Sequence, residues 1–148
     1  ALGGLTDHVP AVQHASVAAL AGGPTPSLLR PLLNFIPDIP NGDPHLRYSA
    51  RRSLRDLLER HAALLAAVPE RSDLSERDIR TILDVALAVK SEPCARFLLH
   101  HRALYASDTA FSQAALAHAA RHAAPADIDR LVAAVDQEPS ADLDFRLG

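Results

Sequence analysis

His118 and His122 lie four residues apart, the spacing at which two imidazoles on one helix face can share a metal ion, and His100 and His101 precede them in the neighbouring predicted hairpin. Their segment, HAARH, lacks the glutamate of a zinc-hydrolase H-E-x-x-H, and no cysteine or carboxylate is spaced to complete a tetrahedral shell. The competing reading is that these rings line a groove or sit partly buried against backbone. A second cluster is Arg47, Arg51 and Arg55, an i, i+4 row with Arg52 beside it, suited to gripping phosphate or an acidic partner through forked guanidinium bonds. Asp56 and Glu59 follow directly, so pairs of Arg52 with Asp56 and Arg55 with Glu59 neutralise part of that row. Cys94 follows Pro93 in the first turn of a predicted helix, where the dipole favours thiolate; a small structural cysteine is the alternative, since catalysis needs a base within reach. The carboxylates are spread over helices and caps, with no acid/base couple among them. The sequence thus offers no catalytic residue and no cofactor ligand, only His118 and His122 as metal candidates and Arg47, Arg51, Arg52 and Arg55 as interaction candidates.

Helices must position these groups. The chain of 148 residues holds 28 Ala and 23 Leu, both strong helix formers, while β-branched and aromatic residues are scarce. The predicted fold class is all-α. With 22% charged residues and a net charge of -3, the composition fits neither a disordered tail nor a dedicated polyanion binder. No apolar run approaches the roughly 20 residues that cross a bilayer, so no membrane insertion by this segment is expected. One cysteine excludes an internal disulfide and leaves the redox compartment open.

Turn chemistry sets the helix bounds. Val9 to Ala21 opens with Pro10; Ser27 to Ile36 follows Gly22-Gly23-Pro24; Asp43-Pro44 starts a helix through Arg60, with continuation to Val68 before Pro69 as the alternative end. Ser75 and Asp78 form an S-x-x-D capping pattern ahead of Glu76 to Val89, and Glu92 to Leu104 follows. Asp108 caps a helix to His122, and Pro125 begins one ending near Asp136. Apolar stripes predict the buried faces: Leu46, Ala50, Leu54, Leu57 and Leu58; Ile79, Ile82, Leu83 and Ala86; Ile128, Leu131, Val132 and Val135.

The chain repeats itself. Asp7, Pro10, Val12, Gln13, Ala15 and Leu20 recur 34 residues later as Asn41, Pro44, Leu46, Arg47, Ser49 and Leu54, and Leu83, Ala86, Leu98 and Leu99 recur at offset 33 as Leu116, Ala119, Leu131 and Val132. A two-helix unit of this length cannot bury its apolar face alone, so an α-α superhelix of about seven to eight helices in stacked hairpins is expected. The units run over about residues 1–22, 24–68, 74–105, 107–137 and 138–148, the last truncated, in a single repeat domain expected to be a piece of a longer chain.

The segments D-x-x-P-x-V-Q-x-A at Asp7 to Ala15 and N-x-x-P-x-L-R-x-S at Asn41 to Ser49 resemble the HEAT-repeat family, an armadillo-like α-solenoid. That family carries an Asp and a later Arg that form a ladder between units; here the resemblance implies Asp7 with Arg47, since Gln13 and Asn41 replace the other members. The stretches GDPHLRYSARRSLRDLL, LSERDIRTILDVALAVKSEPCARFLL and PADIDRLVAAV look like the HEAT region of large exported bacterial multidomain membrane-bound dehydrogenase-like proteins that also carry a haem-binding domain. This resemblance implies an exported or periplasmic location and a parent oxidoreductase, with the helical segment itself non-catalytic and without a cofactor. The expected function is a scaffold or protein-interaction module, binding a protein partner or adjacent domains of its own chain. The alternatives are a nucleic-acid-binding HEAT module similar to the DNA glycosylases, disfavoured by the net charge, and a module similar to chromophore lyases with Cys94 and the histidines near a tetrapyrrole.

Overall fold

A computed structural model describes residues 2–66 and 74–137, and among them the chain is all helical, with eight α-helices and no strand. The helices are α1 Pro10–Ala21, α2 Leu29–Phe35, α3 Pro44–Arg60, α4 Ala63–Ala66, α5 Glu76–Ala86, α6 Glu92–His100, α7 Thr109–His122 and α8 Ile128–Asp136. Short 3-10 turns at Leu2–Thr6, Pro26–Leu28, Ile36–Asp38, Arg102–Leu104 and Pro125–Asp127 supplement them.

The helix starts follow from local chemistry. Asp43, Ser91 and Asp108 each accept a hydrogen bond from a first-turn N–H, at Leu46, Cys94 and Phe111. At α5 the box is complete: the Ser75 hydroxyl accepts from the Asp78 N–H and the Asp78 carboxylate accepts from the Ser75 N–H. Four expected helices are shorter than the patterns suggested: the one from Glu76 ends at Ala86 instead of Val89, and in the other three, proline-led turns and C-terminal 3-10 turns take the ends. Ser27 to Ile36 becomes a turn, α2 and a second turn around Pro37. Glu92 to Leu104 becomes α6 and a turn, and Pro125 opens a turn ahead of α8. The long helix from Asp43 ends at Arg60, where His61 leaves helical geometry while its Nε2–H donates to the Pro24 carbonyl at 3.0 Å. The extension toward Val68 is broken there, and α4 Ala63–Ala66 follows as a separate helical turn; residues 67–68 and the truncated last unit, 138–148, lie outside the described residues.

Packing runs between neighbours in chain order. α1 packs on α3, α3 on α5, α4 on α6, and α6 on both α7 and α8, while α2 bridges α3 and α5. One apolar core extends from Leu5 to Ala115, with Leu32, Leu33, Leu46, Leu54, Leu57, Leu58, Ile82 and Phe97 essentially sealed from water. At about 25 cal/mol per Å² of apolar surface removed from water, these leucines supply the main driving force. A second cluster of Ala95, Leu99, Leu116, Ala119 and Ala134 sits beneath α6, α7 and α8, where the alanines let the backbones approach closely. Gly4 serves the same purpose at the N-terminal turn: a methyl group there would run into the Ser16 hydroxyl on α1.

The stripe expected to bury α8 departs from the pattern. Ile128, Val132 and Val135 are 51%, 53% and 41% exposed, and only Leu131 and Ala134 face the core. No described element packs on that side of α8, so periodicity alone marked a face that this structure leaves in water.

Candidate interaction groove

Arg47, Arg51, Arg52 and Arg55 do converge. They project from the outer face of α3, opposite the buried row of Leu46, Ala50, Leu54 and Leu57, because four-residue steps return to one side of a helix. With Pro44 and Tyr48 they form one wall of a hollow of about 350 Å³ whose far wall is Asp84, Val85 and Ala88, from α5 and the turn after it. A second hollow of about 350 Å³ continues past Arg47 and Arg51 to Glu76, Arg77, Arg80 and Thr81. Arg47, Arg51 and Asp84 belong to both, so the two make one trough between α3 and α5. Six arginines and two carboxylates line it.

The guanidinium groups differ in how they are held. Arg51 crosses the trough to Asp84 at 2.6 Å, with side chains 38% and 55% exposed. Arg55 forks onto Asp56 at 2.8 and 3.2 Å, and this hydrogen bond stabilises its charged form and raises its pKa. Arg52 reaches Asp56 at only 3.8 Å. Arg80 bonds Glu76 and the Leu104 carbonyl, and Arg77 bonds Asp38. Arg47 donates through Nη2 to the Ile39 carbonyl at 2.6 Å and to Asn41 at 3.0 Å, and has no ion pair among the described residues. Tyr48 stands 66% exposed beside it.

The ladder contact expected between Asp7 and Arg47 does not form. Asp7 accepts from the Val9 N–H at 2.8 Å and serves its own turn, while Arg47 is held by Ile39 and Asn41 within its own unit. Other polar pairs join elements distant in the chain instead. His14 Nε2–H donates to Asp43 at 2.9 Å, joining α1 to the cap of α3, and Arg30 and Arg96 reach Asp78 and Asp127 at 2.9 Å. Hydrogen bonds from the Leu46 N–H and then His14 hold the Asp43 carboxyl below its ordinary pKa. Burial works against ionisation of Asp78, yet bonds from Ser75 and Arg30 outweigh it and keep that carboxyl low as well.

His118 and His122 are neighbours, their ring centroids 4.7 Å apart. No group of three or more candidate metal ligands exists among the described residues, so the pair has no third donor from His, Cys, Asp or Glu there. Burial holds the His118 imidazole below its ordinary pKa, the nearby His122 and Arg121 push the same way, and a backbone hydrogen bond at Leu87 opposes them. Its Nε2 is buried without a hydrogen-bond partner. His101 is likewise lowered by burial and by His100. Cys94 reverses the dipole expectation: it is fully buried, and burial pushes its thiol up to about 11 despite a Ser91 hydrogen bond.

Sequence reasoning found the α3 wall and missed the α5 wall. The available signal was the polar face of α5, where Arg77, Arg80 and Asp84 lie opposite Ile79, Ile82, Leu83 and Ala86. No helix of the described residues is long and apolar enough to cross a membrane. Comparison of the chain with family profiles, with curated proteins and with solved structures gave no match in any of the three.

Proposed function

We propose that this chain is a non-catalytic helical-repeat module of HEAT-like type that holds a protein partner or neighbouring domains against the trough between α3 and α5. The observation that carries this reading is the trough itself: it is built from two successive helical units, and its arginines stand on helices anchored by a sealed leucine core. Side chains on such supports keep their geometry at low entropic cost when a partner docks. The sequence resemblance, the 34-residue recurrence and the run of contacts α1–α3–α5 and α4–α6–α8 support stacked repeats. In a larger oxidoreductase-like parent, such a stack serves to fix the spacing of flanking domains.

The test is selection of binders from a random displayed-peptide library, followed by challenge of the selected clones with Tyr48→Ala and Arg51→Gln. Clones that lose binding to both variants place the contact surface in the trough; clones indifferent to both, or an empty selection, refute the assignment. Nucleic-acid binding is a second reading, favoured by one observation: an exposed Tyr48 among four arginines. Salt-dependent retention of a DNA duplex that Arg47→Gln weakens would support it over a protein partner.

A further inference from the structure

Resting on that reading, we propose that the trough takes an extended acidic segment of a partner protein, with carboxylates at alternate positions and an apolar or aromatic residue beside Tyr48. Arg47, Arg51 and Arg55 rise along α3 in steps of four residues, about 6 Å each. Alternate residues of an extended chain repeat at about 6.7 Å and point the same way. A D/E-x-D/E strand laid along α3 therefore meets successive guanidinium groups almost in register, whereas contiguous acidic residues would send every second carboxylate away from the wall.

Three features of the trough fit such a ligand. Both hydrogen bonds of Arg47 leave from Nη2 to neutral oxygens, so Nε and Nη1 each keep an N–H for a single charge-assisted bond to a carboxylate. Arg51 already holds one carboxylate, that of Asp84, across the trough; both side chains are solvent-accessible, so an incoming carboxylate can exchange with Asp84. Beside these charges the lining is apolar, with Pro44, Val85, Ala88 and the exposed ring of Tyr48 forming a seat for one hydrophobic side chain.

The same features disfavour a phosphodiester chain. Asp84 and Glu76 stand in the lining, where every phosphate of a continuous backbone would meet them, while a peptide can place neutral residues there. Tyr48 is the sole aromatic side chain of the lining, too few for serial base stacking.

The experiment uses the whole chain and fluorescence anisotropy at low salt. The probe is a labelled peptide of alternating glutamate and serine with one phenylalanine; the controls are the same composition with its glutamates contiguous and the version with glutamine throughout. The alternating peptide is expected to bind best, Arg47→Gln and Arg51→Gln each to weaken it by about tenfold, and Asp84→Asn to tighten it by roughly threefold or more through removal of the internal competitor. Circular dichroism establishes that each variant folds, and the gain at Asp84→Asn cannot arise from unfolding. Indifference to both arginine substitutions overturns the proposal, as does equal binding of the contiguous peptide. Displacement of the probe by oligodeoxythymidylate or inorganic phosphate at equal potency overturns it in favour of a phosphate ligand. If library-selected clones occupy the trough but acidic peptides do not, the partner chemistry falls and the interaction module stands; if neither binds, both fall.

Discussion

Replacing Asp78 tests whether one carboxylate joins the cap of α5 to α2. Its Oδ2 accepts from the Ser75 N–H at 2.9 Å, the Ser75 hydroxyl at 2.8 Å and Arg30 Nη1 at 2.9 Å, and the residue is 7% exposed. Asp78→Ala removes all three. Loss of the capping box costs about 1 kcal/mol. The Arg30 bond would be worth about 1.5 to 3 kcal/mol if sealed, but Arg30 is 39% exposed and water screens it, so about 1 to 2 kcal/mol is the fitting figure. The sum of about 2 to 3 kcal/mol lowers the melting temperature by roughly 6 to 12 °C for a domain of this size. Asp78→Asn keeps an acceptor for the cap and loses only the charge, so it should cost about half as much. The pH dependence has a definite sign. The folded carboxyl titrates below its unfolded value of about 3.9, so its contribution is complete above that value and is lost as pH falls through the folded one. Urea unfolding of wild type, Asp78→Asn, Arg30→Met and the double variant gives the coupling energy directly. A cycle with coupling near zero at pH 7, or a wild-type advantage over Asp78→Asn that persists undiminished as the carboxyl is protonated, would refute the bridge between α2 and α5.

Three further outcomes follow from burial. Leu54→Ala, at a sealed site, should cost about 2 to 5 kcal/mol in chemical denaturation, whereas Val132→Ala on the exposed face of α8 should stay within about 0.5 kcal/mol; equal costs would show that the α8 face is covered in solution. His118 and His101, both held below their ordinary pKa by burial, bind fewer protons folded than unfolded, so stability falls as pH drops below about 6.5; the urea midpoint should move less between pH 7.5 and 5.5 in His118→Gln than in wild type. The Cys94 thiol should resist an aromatic disulfide reagent at pH 8 until denaturant is added, and rapid native labelling would contradict its burial.

The sequence was most legible where the signal was local. Ser75 with Asp78, Asp43 and Asp108 mark helix starts by the bonds their side chains make within one turn, and all three cap as expected. The stripe of α3 was readable for the same reason: Leu46, Ala50, Leu54, Leu57 and Leu58 share one side and all are buried. Periodicity failed at α8, because it reports which side of a helix is apolar and says nothing of whether a partner lies there. The ladder implied by the resemblance is not made at Asp7 and Arg47, where partners nearer in the chain, Val9 for the one and Ile39 and Asn41 for the other, won over a longer reach. The α5 wall of the trough was hidden because its juxtaposition with α3 is a tertiary contact, set by how α2 packs against both helices, and no pattern within α5 itself announces that contact. At Cys94 the structural reading agrees with the burial, because a helix N-terminus lowers a thiol pKa modestly and complete desolvation outweighs it.

The succession of contacts between nearby helices bears on how the molecule is made. Its principal helix contacts require no closure of a distant loop, so contact order is low and the search for the native state is short. Because α1 and α3 both precede α6 in the chain, α3 can settle on α1 while the C-terminal helices are still emerging from the ribosome. Such an order of contacts would let assembly run like masonry, course upon course, and shorten the time that unpaired leucines spend exposed to aggregation.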